Sequence, residues 1–183
     1  VDGVFIEPVK YYFDRLQRLA EIQQFPQIIK PTTHFENVAI SDYEGEAVMY
    51  SVSREAIDKH KLPEWLAGCN SMNEWHPSAY KTIHDAGVFP YDVLQTNVVK
   101  VVRIKSIIDK YNITSLDLLK IDTEGHDCVI LNDYLNTVEI LPKVIQFESN
   151  ELSDPKEVAN VVARLKPLGY DCKQVNFDMV CSL

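Results

Sequence analysis

Short runs of apolar residues alternate along this chain with segments in which apolar residues recur every three or four positions. The runs predict buried strands, and the recurring residues predict amphipathic helices. The predicted strands cover residues 3–6, 35–40, 47–52, 98–102, 116–121 and 144–147. The predicted helices begin near Pro8, Ile104, His126 and Pro155. This alternation favours an α/β fold with a doubly wound, mostly parallel sheet.

The C-terminal part of the chain predicts an antiparallel end to that sheet. Asp154 and Pro155 are residue types that begin helices, and Gly169 is typical of a helix end. Residues 170–175 and 178–183, separated by a short turn, then predict the two strands of a hairpin. We therefore expect one domain over residues 1–183, closed by this hairpin.

Residues 53–95, here called the long segment, interrupt this regularity. They contain both tryptophans, three of the five histidines and three prolines, and they show only short helical pieces. An irregular segment of this length is often a lid or a substrate loop. The alternative is an insertion that only packs on the surface, and the sequence leaves both open.

Composition and charge exclude several classes of protein. The 183 residues are 46% hydrophobic and 25% charged, as in an average globular protein and unlike a disordered or fibrous chain. The net charge of -9 argues against nucleic-acid binding, because neutralising phosphates requires a basic surface. No apolar run approaches the roughly 20 residues that span a bilayer, so we expect no membrane association and a cytoplasmic location.

The cysteines and glycines exclude further motifs. The four cysteines contain no CxxC pair, so we expect reduced, mostly buried thiols and neither a zinc knuckle nor a disulfide framework. The closest two of the six glycines, Gly68 and Gly87, are 19 residues apart. A Walker loop and a G-x-G-x-x-G turn are therefore both absent from the sequence.

Acidic residues follow three of the predicted strands. Glu7 follows the first strand, Asp122 and Glu124 follow the strand at 116–121, and Glu148 follows the strand at 144–147. Ligands of doubly wound sheets bind beyond the carboxyl ends of the strands. We therefore expect these acids to lie along one edge of the sheet and to form the functional site.

Three short motifs occur in these predicted elements: Phe5-Ile6-Glu7-Pro8, residues 37–42 with Gly45, and residues 116–125, L-D-L-L-K-I-D-T-E-G. Together they resemble the FkbM-type methyltransferase family, within the class I S-adenosylmethionine-dependent fold. The first is similar to the family's "EP" at the end of its second strand, the second to its "N-x-A-x-S-D…G" segment, and the third to its most specific signature. The resemblance covers nearly the whole chain and implies an S-adenosylmethionine-dependent O-methyltransferase.

One departure from the family pattern is large. Class I methyltransferases begin with a strand and a glycine-rich turn that cradles the methionine end of the cofactor, and neither is found in this sequence. In the family's strand order, 3-2-1-4-5-7-6, that first strand lies between the second and the fourth. We therefore expect these 183 residues to be an N-terminally incomplete piece of a longer chain. The alternative is a non-catalytic binding or scaffold module that has lost cofactor binding.

The resemblance also implies roles for individual residues. Glu7 would accept hydrogen bonds from the two ribose hydroxyls of S-adenosylmethionine, which suits an acceptor-only carboxylate. Ala39 and Ile40 would lie near the adenine. Asp122 would face the cofactor or the acceptor hydroxyl, and Glu124 or His126 would be the catalytic base, because a positioned base assists attack by a hydroxyl.

Two further roles concern metal and acceptor. Asp122, Glu124, His126 and Asp127 have side chains that bind divalent metals, but four ligands within six residues converge only through a tight loop, so a metal is not favoured. The acceptor implied by the family is a small molecule or glycan with a free hydroxyl. The residues expected to contact or cover it are Glu148, Asn150, Trp75 and His76. The identity of the acceptor and the oligomeric state are left open.

Overall fold

A computed structural model describes residues 2–21, 32–74 and 76–183. The helices in this part of the chain are α1 (Lys10–Glu21), α2 (Arg54–His60), α3 (Pro77–Asp85), α4 (Ile104–Lys110), α5 (Asp127–Thr137) and α6 (Pro155–Leu165). Short 3₁₀ helices cover Glu64–Ala67, Pro90–Asp92 and Lys166–Leu168. None of the helices in these described ranges combines the length and the apolar character needed to cross a membrane.

The strands that the structure describes belong to three separate sheets. They are β1 (Gly3–Ile6), β2 (Thr33–Glu36), β3 (Ala39–Ile40), β4 (Gly45–Val52), β5 (Leu94–Val102), β6 (Leu118–Ile121), β7 (Val144–Glu148), β8 (Asp171–Val175) and β9 (Asp178–Ser182). The sheets have the strand orders β1-β2, β3-β5-β4 and β6-β7-β9-β8. Pairing is parallel for β1-β2, β3-β5 and β6-β7 and antiparallel for the other neighbours. The α/β class is as predicted, whereas the described strands form mixed sheets and not one mostly parallel sheet.

The predicted strand at residues 35–40 is divided into two. Its first part belongs to β2 and its second part forms β3 in a different sheet. The division falls at Asn37, whose side-chain amide donates to the backbone oxygens of Glu7 and Pro8 at 2.8 and 2.9 Å. These bonds hold the chain at the end of β1, so it leaves the first sheet there. A continuous apolar pattern does not reveal such a side-chain contact.

The largest hydrophobic core lies around the four-stranded sheet. It is formed by helices α4, α5 and α6 with strands β6, β7 and β9. Its buried residues include Leu131 and Tyr134 of α5, Leu165 of α6, Ile121 of β6 and Phe147 of β7. The other face of α4 reaches the first two sheets, because Ile107 belongs to one hydrophobic cluster with Val4 and Ile6 of β1 and Val102 of β5. Helix α4 therefore connects the sheet that carries Glu7 with the sheet that carries Asp122 and Glu148.

The long segment forms a hydrophobic core of its own. Ile57 of α2, Leu66 of a 3₁₀ helix and Ile83 of α3 are almost completely buried, and they pack with Val52 at the end of β4. Burial of these side chains stabilises a compact helical unit on the end of the β4–β5 hairpin. This packing is compatible with a substrate loop and with an insertion that only packs on the surface.

The C-terminal hairpin is confirmed, and it corrects the prediction for two cysteines. Strands β8 and β9 pair so that Cys172 lies opposite Cys181, and the two form a disulfide. The expectation of four reduced thiols is therefore wrong for this pair. The reason is the antiparallel register, which brings residues nine positions apart in sequence face to face. Cys69 and Cys128 are free and buried, as predicted.

Candidate active site

Two acidic residues lie next to each other at the carboxyl ends of β6 and β7. The two strands are parallel, and Ile121 pairs with Phe147 at the end of the ladder. The next residues along the two strands are Asp122 and Glu148, so the register places them side by side. This confirms the common edge for these two acids. For Glu7, which follows β1 in another sheet, a place on the same edge stays a prediction.

The turn after β6, residues 122–126, is here called the acid turn. Glu124 has a φ of 54° and Gly125 a φ of 93°, so two successive residues adopt the left-handed conformation. A Cβ atom on Gly125 would come within 2.8 Å of the backbone oxygen of Leu152. Glycine is required here for both reasons. The close approach fixes the acid turn against the chain that follows β7.

Asp127, at the start of α5, connects the ends of β6 and β7 through hydrogen bonds. Its carboxylate is buried and accepts hydrogen bonds from the Thr123 hydroxyl at 2.6 Å, the Thr123 N–H at 3.2 Å and the Glu148 N–H at 3.0 Å. Burial raises the pKa of Asp127, while the hydrogen bonds from Thr123 and Glu148 lower it. Its oxygens are already used by these donors, so the residue positions the site.

Glu148 has the properties of a proton acceptor. Its Oε1 accepts from the Asn150 side-chain amide at 2.5 Å, whereas Oε2 is buried without a hydrogen-bond partner among the described residues. Burial, together with the nearby charges of Glu124, Asp127 and Asp122, raises the pKa of Glu148 to about 7. A carboxyl group with such a pKa exchanges its proton readily near neutral pH.

His76 connects the long segment to the acid turn. Its Nε2 lies 2.9 Å from Oε2 of Glu124, and its Nδ1 accepts the N–H of Ala79 at 3.2 Å, which caps α3. Hydrogen bonds with Cys69 and Glu124 act to raise the pKa of His76, and burial acts to lower it. The bond from Ala79 opposes protonation, because an accepting Nδ1 cannot hold a proton. At this geometry the ring is neutral and donates to Glu124, and a charged ring would first have to lose the bond from Ala79.

His126, the residue before α5, belongs to a different hydrogen-bond network. Its Nε2 lies 2.9 Å from the Ser41 hydroxyl, and that hydroxyl donates to Asp42 at 3.1 Å. Because the hydroxyl has one hydrogen, we assign Nε2–H of His126 as the donor to Ser41. Burial lowers the pKa of His126, against the charges of Asp42 and Asp127 that raise it. The imidazole is therefore neutral near pH 7, with Nδ1 as its acceptor atom.

An open cleft of about 600 Å³ lies beside His126. Its polar and aromatic lining residues are Tyr43, Tyr50, Asn73 and Glu74. No lysine or arginine is among the described residues that line it. Aromatic faces with an amide and a carboxylate suit a neutral ligand that carries hydroxyl groups, and they do not suit a phosphate or sulfate.

Glu7 follows β1, as predicted. Its Oε1 accepts the Val9 N–H at 2.7 Å, and burial raises the pKa of Glu7 against this hydrogen bond, which lowers it. Ala39 is buried and packs with Val9, while Ile40 is half-buried. The side chain of Ala39 is thus part of the core, and the predicted adenine contact of Ala39 and Ile40 stays a prediction.

Comparison with known proteins identifies the family. The family model described as "Methyltransferase FkbM domain" matches residues 1–172. The chain belongs to this family. No curated protein matches the chain, and no solved structure does. The resemblance seen in the sequence motifs is therefore confirmed, and the family is one of methyltransferases.

Within this FkbM domain, the structure brings some of the predicted site residues together and separates others. Glu124 and Glu148 lie close enough for their charges to interact, and His76 and Asn150 bond to them. Asp122 is half exposed and forms an ion pair with Lys120 at 3.1 Å. Trp75 lies outside the described residues, so its predicted contact with the acceptor stays a prediction.

The sequence did not favour a metal at Asp122, Glu124, His126 and Asp127, and in the described structure three of these side chains are engaged elsewhere. His126 bonds to Ser41, Asp127 is saturated by backbone and hydroxyl donors, and Asp122 pairs with Lys120. These three side chains therefore do not point to one common position at which they could bind a metal ion together.

Sequence reasoning missed Cys69, Ser41 and the positioning role of Asp127. For Asp127 a signal existed, since it is an acid at the start of α5. The same residue type is common there simply because it interacts favourably with the helix dipole. Cys69 and Ser41 carry no such signal. Cys69 lies near His76 and Glu124, and Ser41 bonds to His126, 85 positions away; no local motif marks these contacts.

Proposed function

We propose that this FkbM domain is an S-adenosylmethionine-dependent O-methyltransferase whose acceptor is a hydroxyl of a sugar or related natural product. The family match supports methyl transfer. The strand order supports the class I arrangement. If β1 and β2 correspond to the family's second and third strands, and β6, β7, β8 and β9 to its fourth, fifth, sixth and seventh, then the pairs in β1-β2 and β6-β7-β9-β8 are all neighbours in the order 3-2-1-4-5-7-6.

The residues present fit the ribose of the cofactor. Glu7 is half-buried, and among the described residues its carboxylate has one protein donor, the Val9 N–H. The remaining acceptor capacity suits two vicinal hydroxyls. S-adenosylmethionine supplies an electrophilic methyl group when it is bound. The task of the protein is then to orient the acceptor hydroxyl and to take its proton.

The observation that carries the mechanism is the state of Glu148. Its Oε2 is buried without a hydrogen-bond partner among the described residues, and the pKa of Glu148 is raised to about 7. Because Oε2 is buried, the Glu148 side chain would first have to turn outward for an acceptor hydroxyl to reach it. The hydroxyl would then pass its proton to Oε2 as the oxygen–methyl bond forms. Asn150 holds Oε1, and Asp127 holds the backbone N–H, so the carboxyl group is oriented from both sides.

The cleft beside His126 supports the class of acceptor. Tyr43 and Tyr50 offer aromatic faces, and Asn73 and Glu74 offer polar groups for hydroxyls. His126 stands at its edge with a pKa that burial lowers, so it is neutral at physiological pH. It is the second candidate for the base, and the pH dependence of the rate separates it from Glu148.

The test combines binding with turnover. S-adenosylhomocysteine binding is measured by calorimetry, and release of S-adenosylhomocysteine from S-adenosylmethionine is followed with a panel of neutral and anionic sugars. The proposal expects binding and turnover with a neutral hydroxylated acceptor. Absence of cofactor binding by the full-length protein would favour the binding or scaffold module. Turnover with anionic sugars only would overturn the assignment of the cleft.

A further inference from the structure

A thiol, an imidazole and a carboxylate converge where the long segment meets the acid turn. One ligand atom each from Cys69, His76 and Glu124 lies within 4.8 Å of the other two. Cys69 and His76 are buried, and the Glu124 side chain is about one-fifth exposed at 21%. Sulfur, nitrogen and oxygen ligands of these kinds are the ones that zinc binds in proteins.

The distances are compatible with a tetrahedral ion after small side-chain rotations. Zinc bonds of about 2.0–2.3 Å to N, O and S place neighbouring ligand atoms roughly 3.3–3.6 Å apart. His76 Nε2 and Glu124 Oε2 are now 2.9 Å apart, and the Cys69 thiol lies 3.8 Å from the Trp65 carbonyl oxygen. Insertion of an ion would separate the first pair slightly and draw the thiol away from that weak carbonyl contact.

The surrounding charges independently favour a cation. Glu148 experiences the negative charges of Glu124, Asp127 and Asp122 together. Among the described residues, Lys120 forms an ion pair with Asp122, and Glu124 is hydrogen-bonded to the neutral ring of His76. A divalent ion at Glu124 would offset this concentration of carboxylates without needing a basic side chain.

We propose that Cys69, His76 and Glu124 bind a divalent ion of the zinc class, which fixes the long segment onto the acid turn. Three protein ligands leave the fourth position to water. The inference does not depend on methyl transfer being the activity, since it concerns the chemistry of these three side chains.

Binding of the metal ion releases one proton from the protein. The Cys69 S–H bond breaks, the proton leaves to solvent, and a sulfur–metal bond forms. The ring proton of His76 moves from Nε2 to Nδ1, so that Nε2 can bind the ion. The Ala79 N–H then loses its acceptor at Nδ1. Ala79 is buried, so the loss of this hydrogen bond is a cost that the metal–ligand bonds have to exceed.

The test uses cobalt(II) as a spectroscopic probe of the full chain, prepared without a histidine tag. The proposal expects one equivalent to bind, with sulfur-to-cobalt charge-transfer absorption and the strong visible bands of a tetrahedral site. Zinc should displace the cobalt and abolish both signals. Cys69→Ala should remove the charge-transfer band, and His76→Gln should weaken binding by about a hundredfold or more.

Matched controls keep this test specific. Cys128→Ala removes the other free buried thiol, and His84→Gln removes a histidine whose side chain is 81% exposed. Both should bind cobalt like the wild type. Glu124→Gln retains the thiol and imidazole, so it should weaken binding while keeping the charge-transfer band. Circular dichroism confirms that each variant is folded.

Two outcomes would overturn the proposal. One is a wild-type protein that binds cobalt without a sulfur charge-transfer band. The other is a band that disappears in Cys128→Ala and persists in Cys69→Ala. If Cys69→Ala and His76→Gln both fail to fold, the wild type decides the matter, because zinc must then raise its melting temperature in proportion to the logarithm of the zinc concentration. An unchanged melting temperature contradicts the site. Methyl transfer is assayed separately, so its absence would not mimic any of these results.

Discussion

The buried carboxylate of Asp127 accepts the backbone N–H of Glu148 at 3.0 Å, although the two residues are 21 positions apart. With its second oxygen it accepts the N–H and hydroxyl of Thr123 in the acid turn. One side chain thus holds the ends of β6 and β7 together. The proposed proton acceptor, Glu148, is therefore held in place by a residue of the neighbouring helix α5.

Replacing Asp127 by alanine should destabilise the fold by about 2–4 kcal/mol, because it leaves the partly buried backbone donors of Thr123 and Glu148 without an acceptor. The measurement is urea unfolding at pH 7. Asp122→Ala is the control, since the Asp122 side chain is 53% exposed and should change stability by at most about 0.5 kcal/mol. Equal effects of the two substitutions would show that Asp127 does not join the strand ends.

Gly125→Ala should be more destabilising than Gly169→Ala. Both glycines have a positive φ, 93° and 102°, so the conformational strain is similar. Only the Cβ at position 125 would come within 2.8 Å of a backbone oxygen, that of Leu152, while at position 169 its nearest contact is a flexible leucine end at 3.5 Å. We expect a loss of roughly 1 kcal/mol at Gly169 and about 2–3 kcal/mol at Gly125, from thermal unfolding. A reversed order would argue against the tight acid turn.

The sequence predicted those parts of the fold that depend on local patterns. Asp154 caps α6 through the Lys156 N–H, Gly169 ends the following 3₁₀ turn, and Cys172 and Cys181 lie in the predicted hairpin. Residue type and periodicity are sufficient for such elements. The same reasoning found Asp122 and Glu148 at neighbouring strand ends, because parallel strands end at one edge.

What the sequence could not predict depends on contacts between distant residues. His76 bonds to Glu124 across 48 positions and His126 to Ser41 across 85. No periodicity encodes such pairs, since each is created by the packing of separately predictable elements. The division of residues 35–40 has a similar cause, the amide of Asn37 reaching back to Glu7. The disulfide is a different case, because the short turn between residues 175 and 178 already fixes the register in which Cys172 lies opposite Cys181.

Glu148 should make stability depend on pH. Its pKa is about 7 in the folded protein and near 4.5 when exposed, so the folded state binds the proton more tightly. The stability that this group contributes is therefore largest below about pH 4.5 and is lost as the pH rises to about 7. After allowance for solvent screening, wild type should lose ~1 kcal/mol more than Glu148→Gln across this range. Parallel pH profiles for the two proteins would show that Glu148 titrates normally.

Glu7→Ala should weaken S-adenosylhomocysteine binding by about 1.5–3 kcal/mol in the full-length protein, because it removes a charged acceptor for two hydroxyls. Calorimetry provides the measurement. Glu36→Ala is the control, since Glu36 ends the adjacent strand β2 but bonds to Lys110 and Tyr111. The same loss in both variants would indicate a general disturbance of the sheet and contradict ribose binding by Glu7.

The pH dependence of methyl transfer in single-turnover experiments, with wild type, Glu148→Gln and Asp122→Asn, tests the central claim most directly. The wild-type rate should rise with pH through an inflection at about 7, as the Glu148 carboxyl loses its proton. Glu148→Gln should lower the rate by about a hundredfold and remove the inflection, whereas Asp122→Asn should lower it by no more than about tenfold. If Glu148→Gln keeps both the rate and the inflection, Glu148 is not the base. An inflection below 6.5 that disappears in His126→Gln would then assign that role to His126.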